Sequence, residues 1–254
     1  MEKKYILTDD VIDFNGHTLH RIKAVRDFDC VKAGVLGGFI ESEKNLYHDG
    51  DAWVSGNARV SGDAWVSENA WVSGDARVSG DAWVSGNAKV YGDARVSGDA
   101  QVYGDARVSG DAWVSGNAKV FDDAKVFDDA RVSGDAWVSD NARVFGDARV
   151  SENARVSGDA RVSGDAQVYG DARVSGDAQV YGDADYTTVH GFGRYFRTTT
   201  FFRCNNGVVR CQCGCFYGSI DEFRAKVRET HGSSKYAKEY LMIADLMELH
   251  FKED

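Results

Sequence analysis

Proline is absent from this 254-residue chain, where ordinary usage near 5% would supply about 13. Its absence excludes collagen and stiff Pro-rich linkers. No apolar run approaches the roughly 18 residues that a membrane-spanning helix needs. The start, Met-Glu-Lys-Lys-Tyr-Ile with Asp9 and Asp10 close behind, lacks the apolar stretch of a secretory signal. A soluble, cytoplasmic protein with no membrane partner is therefore expected. Five cysteines, an odd number without an export signal, point to reduced thiols rather than a disulfide framework. Glycine is abundant, at 28 residues against about 18 by ordinary usage. With 43% hydrophobic and 12% aromatic residues the chain is too apolar to stay disordered.

The glycines lie in a repeat that runs without insertion from Gly50 to Tyr181, a span of 22 hexads. Position 1 is Gly in 17 hexads, the exceptions being Glu68, Asp122, Asp128, Asp140 and Glu152. Position 2 is Asp (16) or Asn (6), position 3 is always Ala, position 5 always Val, and position 6 Ser, Tyr or Phe. Two small apolar residues at i and i+2 around a variable one describe a short strand with one buried face. The Ser-Gly-Asp that follows is a turn, because Gly accepts positive φ and Asx hydrogen-bonds its own backbone. Each hexad is thus one strand and one corner. Such units cannot bury a face alone, so stability must come from stacking neighbours, and both ends of the stack need caps. The absence of proline suits a stack in which nearly every N–H is a ladder donor.

The pattern Val54-Ser55-Gly56-Asn57-Ala58-Arg59 resembles the hexapeptide-repeat proteins. That resemblance implies a mainly β fold, a left-handed parallel β-helix of triangular section in which three hexads make one coil. Twenty-two hexads would then make a little over seven coils, roughly 35 Å long at ~4.8 Å per coil. A two-sided solenoid with two hexads per coil is the alternative, since a hexad period alone does not fix the number of sides.

The flanks divide the chain into an N-terminal β cap (1–49), the solenoid (50–185) and a C-terminal cap (186–254). Asn15-Gly16 between Val11–Phe14 and His17–Ile22 signals a type I′ hairpin. The following stretch, Asp27 to Ile40, resembles the N-terminal cap of a group of bacterial and phage hexapeptide-repeat proteins, a likeness that brings no assigned activity. Leu36, Phe39 and Ile40 are expected to plug the first coil. In the C-terminal cap, Thr198–Cys204 and Val208–Cys213 flank Asn205-Asn206-Gly207 as a second hairpin. Ser219-Ile220-Asp221-Glu222 is a capping box, and Gly232 stops that helix. Ser234 caps a last helix that would bury Tyr240, Leu241, Ala244, Leu246 and Met247. The expected cap is ββαα, and a similar tail occurs in Gram-positive bacterial and phage hexapeptide-repeat proteins.

Many hexapeptide-repeat proteins are acyltransferases and some are zinc carbonic anhydrases, and both chemistries call on histidine. The six histidines, at 17, 20, 48, 190, 231 and 250, all lie outside the hexads. No loop leaves the solenoid to form an acyl-donor pocket, so no catalytic residue and no cofactor is assigned. An acyltransferase relative using flank histidines is the enzymatic alternative. Cys204, Cys211, Cys213 and Cys215 are the set a zinc ion would have to use, with Cys211, Cys213 and Cys215 on one strand face. Their spacing lacks the C-x2-C knuckle of structural zinc sites, so buried reduced thiols are expected instead.

Charge is localised: residues 50–185 carry 23 acids and 13 bases, while the flanks cancel, so the chain's −10 belongs to the solenoid. With three hexads per coil Asp75, Asp93, Asp111, Asp129, Asp147, Asp165 and Asp183 form one acidic corner ladder. Each Asp can be offset by the Arg or Lys two positions on. The ladder reads as turn chemistry first, and otherwise as a cation-binding ridge or a polyanion-like surface. Trp53, Trp65, Trp71, Trp83, Trp113 and Trp137 all occupy position 4, between inward Ala and Val, and should face outward. Trp53 would stack on Trp71 and Trp65 on Trp83, while Trp113 and Trp137 sit among Arg or Lys and suit cation–π contacts. Such aromatics mark contact surfaces or stabilise the stack. The expected function is a non-enzymatic binding or scaffold protein with a protein partner or self-association, in some cases as a homo-oligomer. The phage resemblance implies a host factor as target, and the acidic solenoid argues against nucleic acid.

Overall fold

The computed structural model describes residues 2–252. Strands β1 (Tyr5–Phe14) and β2 (His17–Ala24) form an antiparallel hairpin. Its turn residues Asn15 and Gly16 have φ of 53° and 81°, as a type I′ turn requires. Strand β3 (Leu36–Ile40) continues this sheet and then runs parallel to the solenoid, pairing Phe39 with Arg59 and Ile40 with Val60.

The hexads become 22 two-residue strands, from β4 (Trp53–Val54) to β25 (Gln179–Val180), each made of positions 4 and 5. Partners lie three hexads apart, as in Lys89 with Arg107 and Val90 with Val108. The strands therefore sort into three parallel sheets, which excludes the two-sided solenoid. Sheet I carries Arg59, Arg77, Arg95, Trp113, Arg131, Arg149 and Gln167 at position 4. Sheet II runs from Trp53 to Gln179 and sheet III from Trp65 to Arg173. All 22 Ala of position 3 and all 22 Val of position 5 are fully buried. With three of each per coil the interior is filled by small apolar side chains. Each coil hands backbone bonds to the next, Trp71 N–H to Ala88 O and Ser73 N–H to Val90 O, both at 2.9 Å.

The corners explain position 1. Gly86 has φ of 69°, and a Cβ there would lie 2.7 Å from Gly104 N. The five acidic exceptions adopt the same left-handed conformation, with φ between 57° and 60°. Three of them compensate with a carboxylate bond to the glycine N–H one coil on: Glu68 to Gly86 (2.7 Å), Asp140 to Gly158 (3.0 Å) and Asp128 to Gly146 (3.4 Å). Asn at position 2 has a similar use. Asn69, Asn117 and Asn153 donate Nδ2–H to Oδ1 of Asn87, Asp135 and Asp171 on the coil above, at 2.9–3.1 Å.

Both ends are closed by side chains acting as strand substitutes. At the N-terminal end Phe39, Glu41 and Tyr47 donate backbone N–H to Ala58, Val60 and Val66. The edge between them is met by Asn45, which is fully buried. Its amide donates to Gly62 O (3.0 Å) and Ala64 O (2.8 Å), while its oxygen accepts from Ser42 N–H at 2.9 Å. Phe39 and Ile40 are buried as expected, but Leu36 is 56% exposed. Gly37 and Gly38 bring β3 so close to Val54 and Ala58 that Leu36, one residue before, is left outside the plug. Tyr5, Phe28, Leu46 and Trp53 join the buried core at this end instead.

The C-terminal cap has four strands rather than two. Strands β26 (Tyr186–Phe192), β27 (Arg197–Arg203), β28 (Val209–Cys213) and β29 (Phe216–Ser219) form an antiparallel sheet. Helices α1 (Ile220–His231) and α2 (Lys235–His250) follow, with the expected caps at Ser219, Gly232 and Ser234. The last coil's free donors find side chains: Arg173 N–H reaches Thr200 Oγ1 and Gln167 N–H reaches Asp183 Oδ1, both at 2.9 Å. Helix α2 buries Ala237, Tyr240, Ile243, Ala244 and Met247, with Leu241 packed at the margin. Leu246 is 56% exposed, because Ile243 and Met247 take the inner stripe. Among the described residues no helix is long and apolar enough to cross a membrane.

The two caps should respond to alkali with opposite sign. Burial lowers the Lys4 ammonium from 10.5 to about 8. Between those values the unfolded chain holds a proton that the folded one lacks, so N-terminal cap stability rises with pH, until Tyr5, raised by burial, opposes it above pH 10. At the other end burial pushes Cys204 up to about 12 from 9, and Tyr186 and Tyr217 up to about 12 from 10. These groups keep protons that the unfolded chain loses, so that cap loses stability as pH climbs from 9 toward 12. Segment-resolved hydrogen exchange at pH 8 and 10, corrected for intrinsic rate, should show protection rising at 36–48 and falling at 197–218. Parallel behaviour of both caps would refute this.

Candidate interaction surfaces of the solenoid

Position 4 is where the strand pleat turns a side chain outward, and all 13 Lys and Arg of the solenoid occupy it together with the six Trp and three Gln. The acids stand at positions 1 and 2, on the corners. Charge is thereby segregated, cations on the flat faces and carboxylates along the edges. Among the described residues, none of the 13 face cations pairs with an acid. The ion pairs lie in the caps or join a cap to a corner, as in Lys44–Asp63 at 2.6 Å and Arg210–Asp177 at 3.8 Å. The expectation that each corner Asp is offset by the base two positions on is therefore not met. A corner and a face point the two side chains in different directions.

The six tryptophans do not form one surface. Trp65 and Trp83 stack at 6.0 Å with planes 13° apart, and both are about two-fifths exposed. Trp113 is exposed to the same extent, and its Nε1–H donates to Ser97 Oγ at 3.1 Å. Trp137 sits between Lys119 Nζ (5.4 Å) and the Arg155 guanidinium (4.3 Å), in the cation–π arrangement expected of it. Trp53 departs from expectation: it is 1% exposed, covered edge-on by Phe28 and Tyr5. Its partner in register, Trp71, packs half-buried against the same core. The pleat does turn Trp53 outward from the coil, but the N-terminal cap folds over that side. Aromatic stacking also recurs at position 6, in Tyr103 on Phe121 (5.1 Å) and Phe127 on Phe145 (4.9 Å).

Sheet II thus carries Lys89, Arg107, Lys125, Arg143 and Arg161 beside Tyr91, Phe127 and Phe145, a basic column next to an aromatic one. Sheet I carries arginines beside serines, and its lower end is overlain by Phe14 of the hairpin, whose ring lies under Arg59 (4.7 Å) and Arg77 (5.2 Å). The acidic ladder is exposed from Asp75 to Asp165. Asp183 leaves it, turning into a 3-10 turn to accept from Gln167. Among the described residues no three His, Cys, Asp or Glu side chains are gathered closely enough to hold a metal, on the ladder or elsewhere.

The cysteines are dispersed. Cys211 is buried in the helix-facing core, and Cys204 in the solenoid-facing one beside Asp177. Cys213 is half-buried near Tyr240, and Cys215 is exposed in the β28–β29 turn rather than in line with Cys211 and Cys213. Asp177, the last Asx of the repeat, instead anchors the cap, accepting from Tyr217 Oη at 3.2 Å.

No curated protein matches the sequence. Among solved structures a Bacillus cereus protein described as a "putative acetyltransferase" aligns with 80% of this chain and 96% of its own, at 10% identity and a TM-score of 0.26. Seven stretches, residues 52–68, 70–86, 88–102, 100–116, 136–152, 154–169 and 166–182, match the YdcK beta solenoid repeat. The chain is a three-sided β-solenoid protein whose repeats are similar to those of the YdcK beta solenoid.

Proposed function

We propose that this protein is a non-enzymatic binding module whose flat faces engage a macromolecular partner, with no cofactor. One observation carries the reading: the solenoid's 13 cations stand on the faces with no acidic partner among the described residues, in register at the coil spacing, with exposed aromatics beside them. An unpaired cation has no existing ion pair to break when an acid arrives, and a column of them steers a complementary surface into register. The complementary partner is a protein with acidic groups along one line. A nucleic acid laid on any face would meet the acidic corners on both sides. A host factor bound by a phage or prophage protein fits this description. The acyltransferase alternative would rest on the histidines of the flanks, all of which lie outside the hexads.

The test uses purified protein to recover partners from a bacterial lysate, with two variants beside the wild type. One reverses Lys89, Arg107, Lys125 and Arg143 to Glu; the other changes Trp65, Trp83 and Trp113 to Ser. Trp53 and Trp71 are left alone because they support the cap. A partner recovered by the wild type and lost with either variant, confirmed by direct binding of the purified pair, supports the proposal. Recovery of nothing, or equal recovery by all three, overturns it. Light scattering that grows with concentration and disappears on Met242→Glu would point instead to self-assembly through helix α2, where Met242, Leu246 and Leu249 are 56–72% exposed.

A further inference from the structure

The junction between the last coils and the C-terminal cap holds a cleft of about 780 Å³, open to solvent. Sheet III supplies Arg155 and Arg173, one coil apart, to its lower wall. The cap supplies His190 of β26 and Arg197 and Thr198 of β27, with Cys215 at the rim. Three guanidiniums and a histidine therefore converge from two separate parts of the chain. The carboxylate in the wall is Asp171, and its Oδ1 already accepts from Asn153 Nδ2 at 3.1 Å. With His190 uncharged, three Arg against one Asp leave the cleft at +2 in a chain of −10.

Three other arginines of the cap are neutralised by carboxylates, while Arg197, like the face cations Arg155 and Arg173, is not. Arg203 pairs with Asp185, Arg210 with Asp177, and Arg224 with Asp221, Asp245 and Glu248. Among the described residues Arg155, Arg173 and Arg197 pair with no carboxylate. Arg173 is steadied by a 3.4 Å bond to Gly214 O, and Arg197 lies 5.0 Å from the Tyr195 ring centre. These contacts hold the guanidiniums in place without neutralising them. Arginine forks match tetrahedral oxyanions in pairs, and three guanidiniums lining one cleft favour a ligand with more than one anionic group. His190 Nδ1 is engaged with Thr198 Oγ1 at 3.0 Å, which orients the ring and leaves Nε2 as its second polar atom.

We infer that the cleft is a binding site for a compact polyanion of the oligophosphate class, either free or as the phosphate end of a larger molecule. The site shares Arg155 and Arg173 with the face cations of the solenoid, but it is defined by the cap's His190 and Arg197 and does not depend on a macromolecular partner. Titration calorimetry of the full chain with inorganic pyrophosphate and tripolyphosphate tests it, with ATP as the larger molecule. The expected result is saturable binding of one ligand per chain, weakened at least tenfold by Arg155→Gln with Arg197→Gln. Arg131→Gln with Arg149→Gln, on sheet I, should leave it unchanged. Tighter binding of ATP than of tripolyphosphate identifies the organic source, and the reverse identifies the free polyanion. The exposed thiols give a second readout in the unmutated chain: pyrophosphate should slow alkylation of Cys215 by N-ethylmaleimide several-fold and leave Cys30 unaffected. Absence of saturable binding, equal loss in both double variants, or an unprotected Cys215 would overturn the inference.

Discussion

Trp53→Ala is expected to cost about 3–5 kcal/mol, the range for removing a fully buried aromatic side chain. That is a large part of the roughly 5–15 kcal/mol that ordinarily holds a domain together. The indole lies on the outside of the first coil, enclosed by Tyr5 and Phe28 beneath the N-terminal cap. Gly37 approaches it so closely that a Cβ there would lie 2.7 Å from Cζ2, so the surroundings are shaped to the ring and collapse poorly into the space it leaves. Trp65→Ala, the same residue at the same hexad position, should cost about 1 kcal/mol or less, because its ring is 41% exposed and loses mainly the stack on Trp83. The comparison needs denaturant midpoints together with exchange protection of the Phe39 and Glu41 amides, which donate to the first coil. Similar losses for the two substitutions would show that the N-terminal cap does not close the stack as described.

Asn45→Asp should be comparably severe through a different cause. The two amide hydrogens of Asn45 are spent on Gly62 O and Ala64 O, in a fully buried place. A carboxylate there presents oxygen to two carbonyl oxygens and leaves both unsatisfied, at about 1–3 kcal/mol for each group and more for the buried charge. The new carboxyl's pKa would be raised on folding. Its proton is then held in the folded state and lost in the unfolded one, so the variant's deficit should shrink as pH falls toward 4 and widen at pH 7. Thermal melts at the two pH values read this directly. A deficit independent of pH would mean that the amide's role is packing alone. In either variant the released edge of the first coil becomes a template for another chain, so aggregation should accompany the loss of stability.

The solenoid is legible residue by residue because its physics is local. Ala and Val two apart set the inward face, and Gly with Asx sets the corner. Three hexads per coil follow from family resemblance, and the pairing of Lys89 with Arg107 bears this out. The caps are legible only where chemistry is also local, as at Asn15-Gly16 and the Ser219 box. Trp53 reads as exposed in the sequence because position 4 says which way a side chain leaves its own strand, and cannot say what folds over it afterwards. Leu36 and Leu246 read as buried for the converse reason, since an apolar residue is buried only where a neighbour arrives. The two extra strands of the C-terminal cap are hidden by Gly191 and Gly193 at the end of one and by the brevity of the other, Phe216–Ser219. The Arg155, Arg173 and Arg197 cleft joins residues from separate parts of the chain, and no spacing announces it. A hint of Asn45's role is present in retrospect: it falls one hexad before Asp51, at the corner position of a hexad that never forms.

Three faces and a one-hexad step also give the molecule a screw-like arithmetic. Duplicating three hexads would lengthen the prism by one coil, about 4.8 Å, and return the C-terminal cap to the same face. Duplicating a single hexad would swing that cap by a third of a turn relative to the N-terminal one, and a duplication placed after Arg173 would also carry Arg197 away from Arg155 and Arg173. Near-identical hexads are suited to slippage and unequal exchange in the encoding gene. Relatives that differ in length should therefore differ in whole coils wherever the alignment of the two ends matters, and in single hexads wherever it does not.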